Sequence, residues 1–138
     1  MRPFLFGGLM AAFMATAAEA QTFCRFDPVT LCNGCEVTFN WYVVASTVPR
    51  PVPTGEKSAP DFCSMTFEGI GTYTKPIEII RKPTLGEAKV AGVHHVLYRS
   101  KKVGQDTLTF VLHKNSGLNG QPYQTTVTLK VHVLDKPM

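Results

Sequence analysis

The chain has 138 residues, 44% of them hydrophobic and 17% charged, and carries a formal net charge of +4 at pH 7. That length excludes two ordinary domains. The mild charge lacks a basic stripe with interleaved aromatics, which excludes a nucleic-acid binder: the one cation cluster, Arg99, Lys101 and Lys102, falls in an expected loop.

At the N-terminus, Arg2 precedes an apolar run from Phe4 to Ala15 and a small-x-small ending at Ala18-Glu19-Ala20. This pattern predicts a secretory signal peptide over residues 1–20, cleaved before Gln21. The run is shorter than the roughly 18 residues that a membrane span needs, so no retained anchor is expected. No small-residue lipobox precedes Cys24. Residues 21–138 then form a single exported domain, periplasmic or extracellular.

Cys24, Cys32, Cys35 and Cys63 make an even set in the first half of the exported segment, which reads as two disulfides. Alternation puts Cys35 on one strand face with Val37, Phe39, Trp41 and Val43, and Cys63 on one face with Met65 and Phe67. Both sulfurs then point to the core, which favours Cys35–Cys63 and leaves Cys24–Cys32 near the N-terminal edge. The alternative is a tight Cys32–Cys35 ring across the Asn33-Gly34 turn, with Cys24 joined to Cys63. A redox-active C-x-x-C needs a helix N-terminus, and strand residues follow Cys35 here. Glu36 stands where a haem attachment site needs histidine. A zinc site with His94 or His95 lacks a second cysteine pair.

The strands follow in order. Glu36 to Ser46 alternates around Trp41, the only tryptophan and the expected core anchor. Residues 48–60, VPRPVPTGEKSAP, have four prolines and no apolar period, and are expected to form an extended connector that could also serve recognition through Arg50. Asp61 to Phe67 is the next strand, ending at paired glycines, and Tyr73 to Arg81 follows. Glu87 to Val90 and Val93 to Tyr98 read as a hairpin turning at Ala91-Gly92. The last two runs are the clearest. Leu108, Phe110 and Leu112 alternate with Thr107, Thr109 and His113; Val127, Leu129, Val131 and Val133 alternate with Thr126, Thr128, Lys130 and His132. About seven strands and no helical period predict an all-β chain, an antiparallel β-sandwich.

Within KPTLGEAKVAGVHHVLYRSKKVGQDTLTFVL, the positions Pro83, Gly86, Tyr98, Gly104, Asp106, Leu108 and Phe110 form a pattern. Over residues 82–134 the chain resembles bacterial immunoglobulin-like and cadherin-like domains. The resemblance implies an immunoglobulin-like sandwich and a role in adhesion, spacing or binding. In that frame Gly104 supplies a turn conformation and Asp106 bonds backbone amides near it. Some cadherin-like relatives bind calcium through acidic residues, but the carboxylates here are scattered singly, so no calcium site is expected.

The catalytic inventory is thin. Ser46, Ser58, Ser64, Ser100 and Ser116 lack nucleophile-elbow glycines, and no carboxylate pair stands at an acid–base spacing. The expectation is a non-catalytic module without cofactor that contacts a protein or an envelope polymer. Its expected binding residues are Arg50, Lys101, Lys102, Asn115 and Asn119. The alternative is a periplasmic metal-binding protein in which His113 and His132 are neighbours on the outer sheet face. A secreted enzyme inhibitor, which needs no motif, is a third reading.

Overall fold

The computed structural model describes residues 21–68 and 71–138; the expected signal peptide, residues 1–20, lies outside the described residues. Its framework is β8 (Gly104–Asn115) and β9 (Pro122–Leu134), paired antiparallel without a bulge from Gly104↔Val133 to Asn115↔Pro122. Alternation puts Leu108, Phe110 and Leu112 of β8 and Val127, Leu129, Val131 and Val133 of β9 on one dry face.

Against β9 lies β2 (Glu36–Val44), and this pairing is parallel over its whole length, from Glu36↔Thr126 to Val44↔Leu134. The expected antiparallel sandwich is therefore corrected at this one pair: the period-2 pattern of β2 is the same whichever way its partner runs. β1 (Cys24–Phe26) adds antiparallel to the outer edge of β2. The other edge, along β8, is shared by β4 (Thr72–Tyr73) and β5 (Glu78–Arg81). The expected strand from Tyr73 to Arg81 is thus two strands. Pro76, which has no N–H to give to the ladder, stands between them.

A smaller antiparallel sheet, β3 (Cys63–Thr66), β7 (His95–Arg99) and β6 (Glu87–Ala91) in that spatial order, covers the dry face. The described residues thus hold nine strands and no helix. Cys63, Met65, Val96 and Tyr98 meet Trp41, Leu108, Phe110 and Leu129 in one core. Aromatic contacts bridge the layers, Trp41 on Tyr98 at 6.0 Å and Phe67 edge-on to Phe110 at 5.2 Å between ring centroids. Trp41 is the core anchor expected of it, 1% exposed.

The disulfides are Cys24–Cys63 and Cys32–Cys35, with Cα separations of 5.7 and 5.5 Å. The favoured Cys35–Cys63 pairing is overturned by height along the strand. Cys24 lies opposite Val43, at the far end of β2 from Cys35, and Cys63 sits beside Phe23, whose carbonyl is 3.5 Å from its sulfur. Eight residues of strand, roughly 25 Å, separate the two levels. Parity gave the right face but not the right end.

Candidate functional site

The core face of β8 is bounded by a charge at each end. Stepping by two from Leu108 reaches Asp106 in one direction and, through Phe110 and Leu112, Lys114 in the other. Both are buried, Asp106 at 6% and Lys114 at 7% exposure. Their surroundings are opposite in kind.

At the first end, the Asp106 carboxylate accepts five hydrogen bonds, from the amides of Thr84 (2.9 Å), Leu85 (3.1 Å), Gly86 (2.9 Å) and Thr107 (3.0 Å) and from the Tyr98 hydroxyl (2.7 Å). Burial pushes this carboxyl up, but the bonds from Gly86, Tyr98, Thr84 and Leu85 outweigh it and hold the group below the ordinary aspartate range. Tyr98 is pushed up, by burial first and then by its bond to Asp106. The bonds from Thr84, Leu85 and Gly86 reach beyond the local turn at Gly104 and fix the segment before β6. Gly86 is obligatory because a Cβ there would meet the Arg99 carbonyl, the Tyr98 hydroxyl and Ser100. This carboxylate is saturated; it serves folding.

At the second end, Lys114 pairs with Tyr123 of β9 on one side and Tyr73 of β4 on the other. The three side chains form a row across the mouth between the sheets. The Lys114 ammonium lies 4.9 Å from the centre of the Tyr73 ring, a cation–π contact. No salt bridge or side-chain hydrogen bond links Lys114 or the Tyr123 hydroxyl to any other described residue. Burial, and then the charge of Tyr123, push the Tyr73 hydroxyl up to about 12, and it donates to the Phe67 carbonyl at 2.7 Å.

A cavity of about 290 Å³ opens beside this row. Leu112, Lys114, Tyr123 and Thr125 form its floor, and Leu31, Cys32 and Asn33 form one wall, with Glu68 opposite. The wall is fixed by the Cys32–Cys35 ring and by the Thr125 hydroxyl, which donates to the Cys32 carbonyl at 3.0 Å. A second cavity of about 180 Å³ shares Glu68 and Lys114 and continues past Tyr73 to His94. There His94 stacks between Tyr73 (5.8 Å) and His95 (4.5 Å), and its Nε2 lies 3.3 Å from Glu68 Oε1. His94 belongs to the turn rather than to a strand, so the two adjacent histidines stack instead of pointing to opposite faces.

The expected site residues are spread over both ends. The Arg50 guanidinium turns inward, donating to the Val44 carbonyl at 2.7 Å and the Pro60 carbonyl at 3.4 Å. Burial lowers its pKa, with Asp61 opposing. It ties down the proline-rich segment instead of presenting it. Lys101 and Lys102 are exposed before β8, at the Asp106 end, whereas Asn115 closes β8 and Asn119 is exposed in the turn after it, at the Lys114 end. The length of β8, roughly 35 Å, keeps these groups from acting together.

The histidine pair of the metal reading is separated. His113 lies opposite Gln124 and His132 opposite Gln105, eight ladder positions and roughly 27 Å apart. Each is already engaged, His113 with Glu78 at 2.9 Å and His132 with Asn40 at 2.9 Å and stacked on Tyr42 at 4.8 Å. Both do lie on the outer face, but sharing a face did not make them neighbours. Among the described residues no group of three or more His, Cys, Asp or Glu side chains could hold a metal ion.

Lys114, Tyr73 and Tyr123 are absent from the sequence-based set. The signal for Lys114 is in the sequence, since the alternation of Leu108, Phe110 and Leu112 carried one step further places a lysine on the buried face. The chain matches no protein-family model, no curated protein and no solved structure.

Proposed function

We propose that the chain is an exported, non-catalytic, immunoglobulin-like binding module whose ligand enters the mouth at the Lys114 end. One observation carries this reading: a lysine 93% buried, facing a cavity, with no acceptor among the described residues. Its stem is buried, but the ammonium is not among the fully buried unpaired atoms and rests on the Tyr73 ring, so the cation stands at the cavity mouth with its N–H donors open to whatever enters. The two disulfides support an oxidising compartment, and the Arg2-to-Ala20 pattern supports export to it. The mouth offers the Lys114 ammonium and the Tyr123 hydroxyl as open donors, the Tyr73 hydroxyl being given to the Phe67 carbonyl, which supports a binding role. The partner is a protein segment or an envelope polymer that presents a narrow group to the cavity.

Two-dimensional amide NMR of the mature protein, titrated with soluble peptidoglycan fragments, envelope oligosaccharides and periplasmic peptides, tests the proposal. Shifts should gather at Asn33, Tyr73, His94, Lys114 and Tyr123 and leave Thr84 to Gly86 unmoved. Shifts confined to Lys101 and Lys102, or chemical conversion of the added compound, would overturn it.

A further inference from the structure

Resting on that reading, we infer that the group received at the mouth is an oxyanion, a carboxylate or phosphate, bound by the Lys114 ammonium and the Tyr123 hydroxyl. These two adjacent ladder residues present the donors that no described residue uses. Two carboxylates stand nearby, and one of them, Glu68, lines the same cavity as Lys114 with its side chain 75% exposed. Glu68, on the cavity wall, is 3.3 Å from His94, and Glu78 is taken up by His113 at 2.9 Å and by Lys75 at 4.0 Å. Neither comes within salt-bridge distance of Lys114.

The rest of the site fits a small anion-bearing group. Tyr73 stabilises the cation through its ring face, which leaves the N–H donors of the ammonium for a ligand. Lysine acts as a point charge, so it accepts carboxylate and phosphate alike and does not impose a bidentate geometry. Leu31 and Leu112 add apolar wall, and about 290 Å³ is near the lower bound of ligand cavities, roughly 300 Å³. That volume suits a terminal acidic group of a polymer or peptide better than an extended stretch of one. Partial burial keeps the attraction from being fully screened.

Phosphate, acetate and glucuronate serve as anionic probes, and N-acetylglucosamine as the neutral one. The readouts are amide NMR and thermal unfolding of the wild type, Lys114→Met and Tyr123→Phe. At least one anion should shift the Lys114 and Tyr123 resonances saturably and raise the wild-type Tm, less so as sodium chloride is increased. Affinity should fall at least tenfold in Lys114→Met and several-fold in Tyr123→Phe, which keeps its ring and guards against a Met variant that does not fold. Equal anion binding by the wild type and both variants would overturn the inference. So would silence with all three anions. If N-acetylglucosamine or the neutral envelope fragments still moved the mouth, the oxyanion would be wrong and the binding module would stand; if nothing moved it, both would fall.

Discussion

Asp106 and Lys114 occupy equivalent positions at the two ends of one strand face, and the chain treats them in opposite ways. Around Asp106 it gathers five donors, a glycine with no room for a Cβ and the nearby Cys24–Cys63 bridge. Around Lys114 it places two tyrosines, a cavity and no acceptor among the described residues. Folding needs buried charges to be satisfied, as Asp106 is, and the Lys114 end, with its donors open, is where we propose that a ligand binds.

The largest effect should follow from emptying the saturated end. Asp106→Ala leaves four part-buried amides and a buried phenol without their acceptor, and should cost roughly 5 kcal/mol in urea unfolding, enough to threaten folding altogether. Because the folded pKa of Asp106 is depressed, its contribution is complete above the unfolded value of about 3.9 and is lost as pH falls through the lower folded value. Wild-type Tm should therefore drop below about pH 4, and Asp106→Asn should flatten that drop while lowering stability at neutral pH.

The disulfides sharpen the same contrast. Cys24–Cys63 closes a separation of 39 residues and Cys32–Cys35 one of 3. On chain entropy, replacing the first pair by alanine should cost about 4 kcal/mol and the second about 2 kcal/mol. The second replacement should also loosen the Leu31–Asn33 wall, visible as faster amide exchange at Asn33 and Thr125. A reversed order of the two losses would break the assignment of a structural and a functional end. His132→Ala removes a stacked, partly buried ring from the outer face, and should cost under about 1 kcal/mol with no change in retained metal by mass spectrometry.

How far these ends could be read from sequence depends on what alternation encodes. It identifies β8 and β9 and the core residues Leu108, Phe110, Val127 and Leu129, because a period of two is the direct imprint of one buried face. It gives the face of Cys63 but not its height beside Cys24, and the strand β2 but not its parallel partner β9, since neither height nor direction leaves a periodic trace. His113 and His132 share the outer face, as their parity says, yet pairing register puts them at opposite ends. Lys114 is legible once its strand is allowed to run on to Asn115, where a charge at a strand end otherwise passes for a solvated cap. Tyr73 and Tyr123 join it only through pairings that the chain makes across 41 and 9 residues.

The most direct test of the contrast is the unfolding free energy of Lys114→Met against wild type without any added anion. Methionine keeps most of the packing on Tyr73 and removes the charge. If the ammonium is held for a ligand, the variant should be as stable as wild type or more so, by up to about 1 kcal/mol. A loss of 2 kcal/mol or more would make Lys114 a structural counterpart of Asp106 and contradict the account.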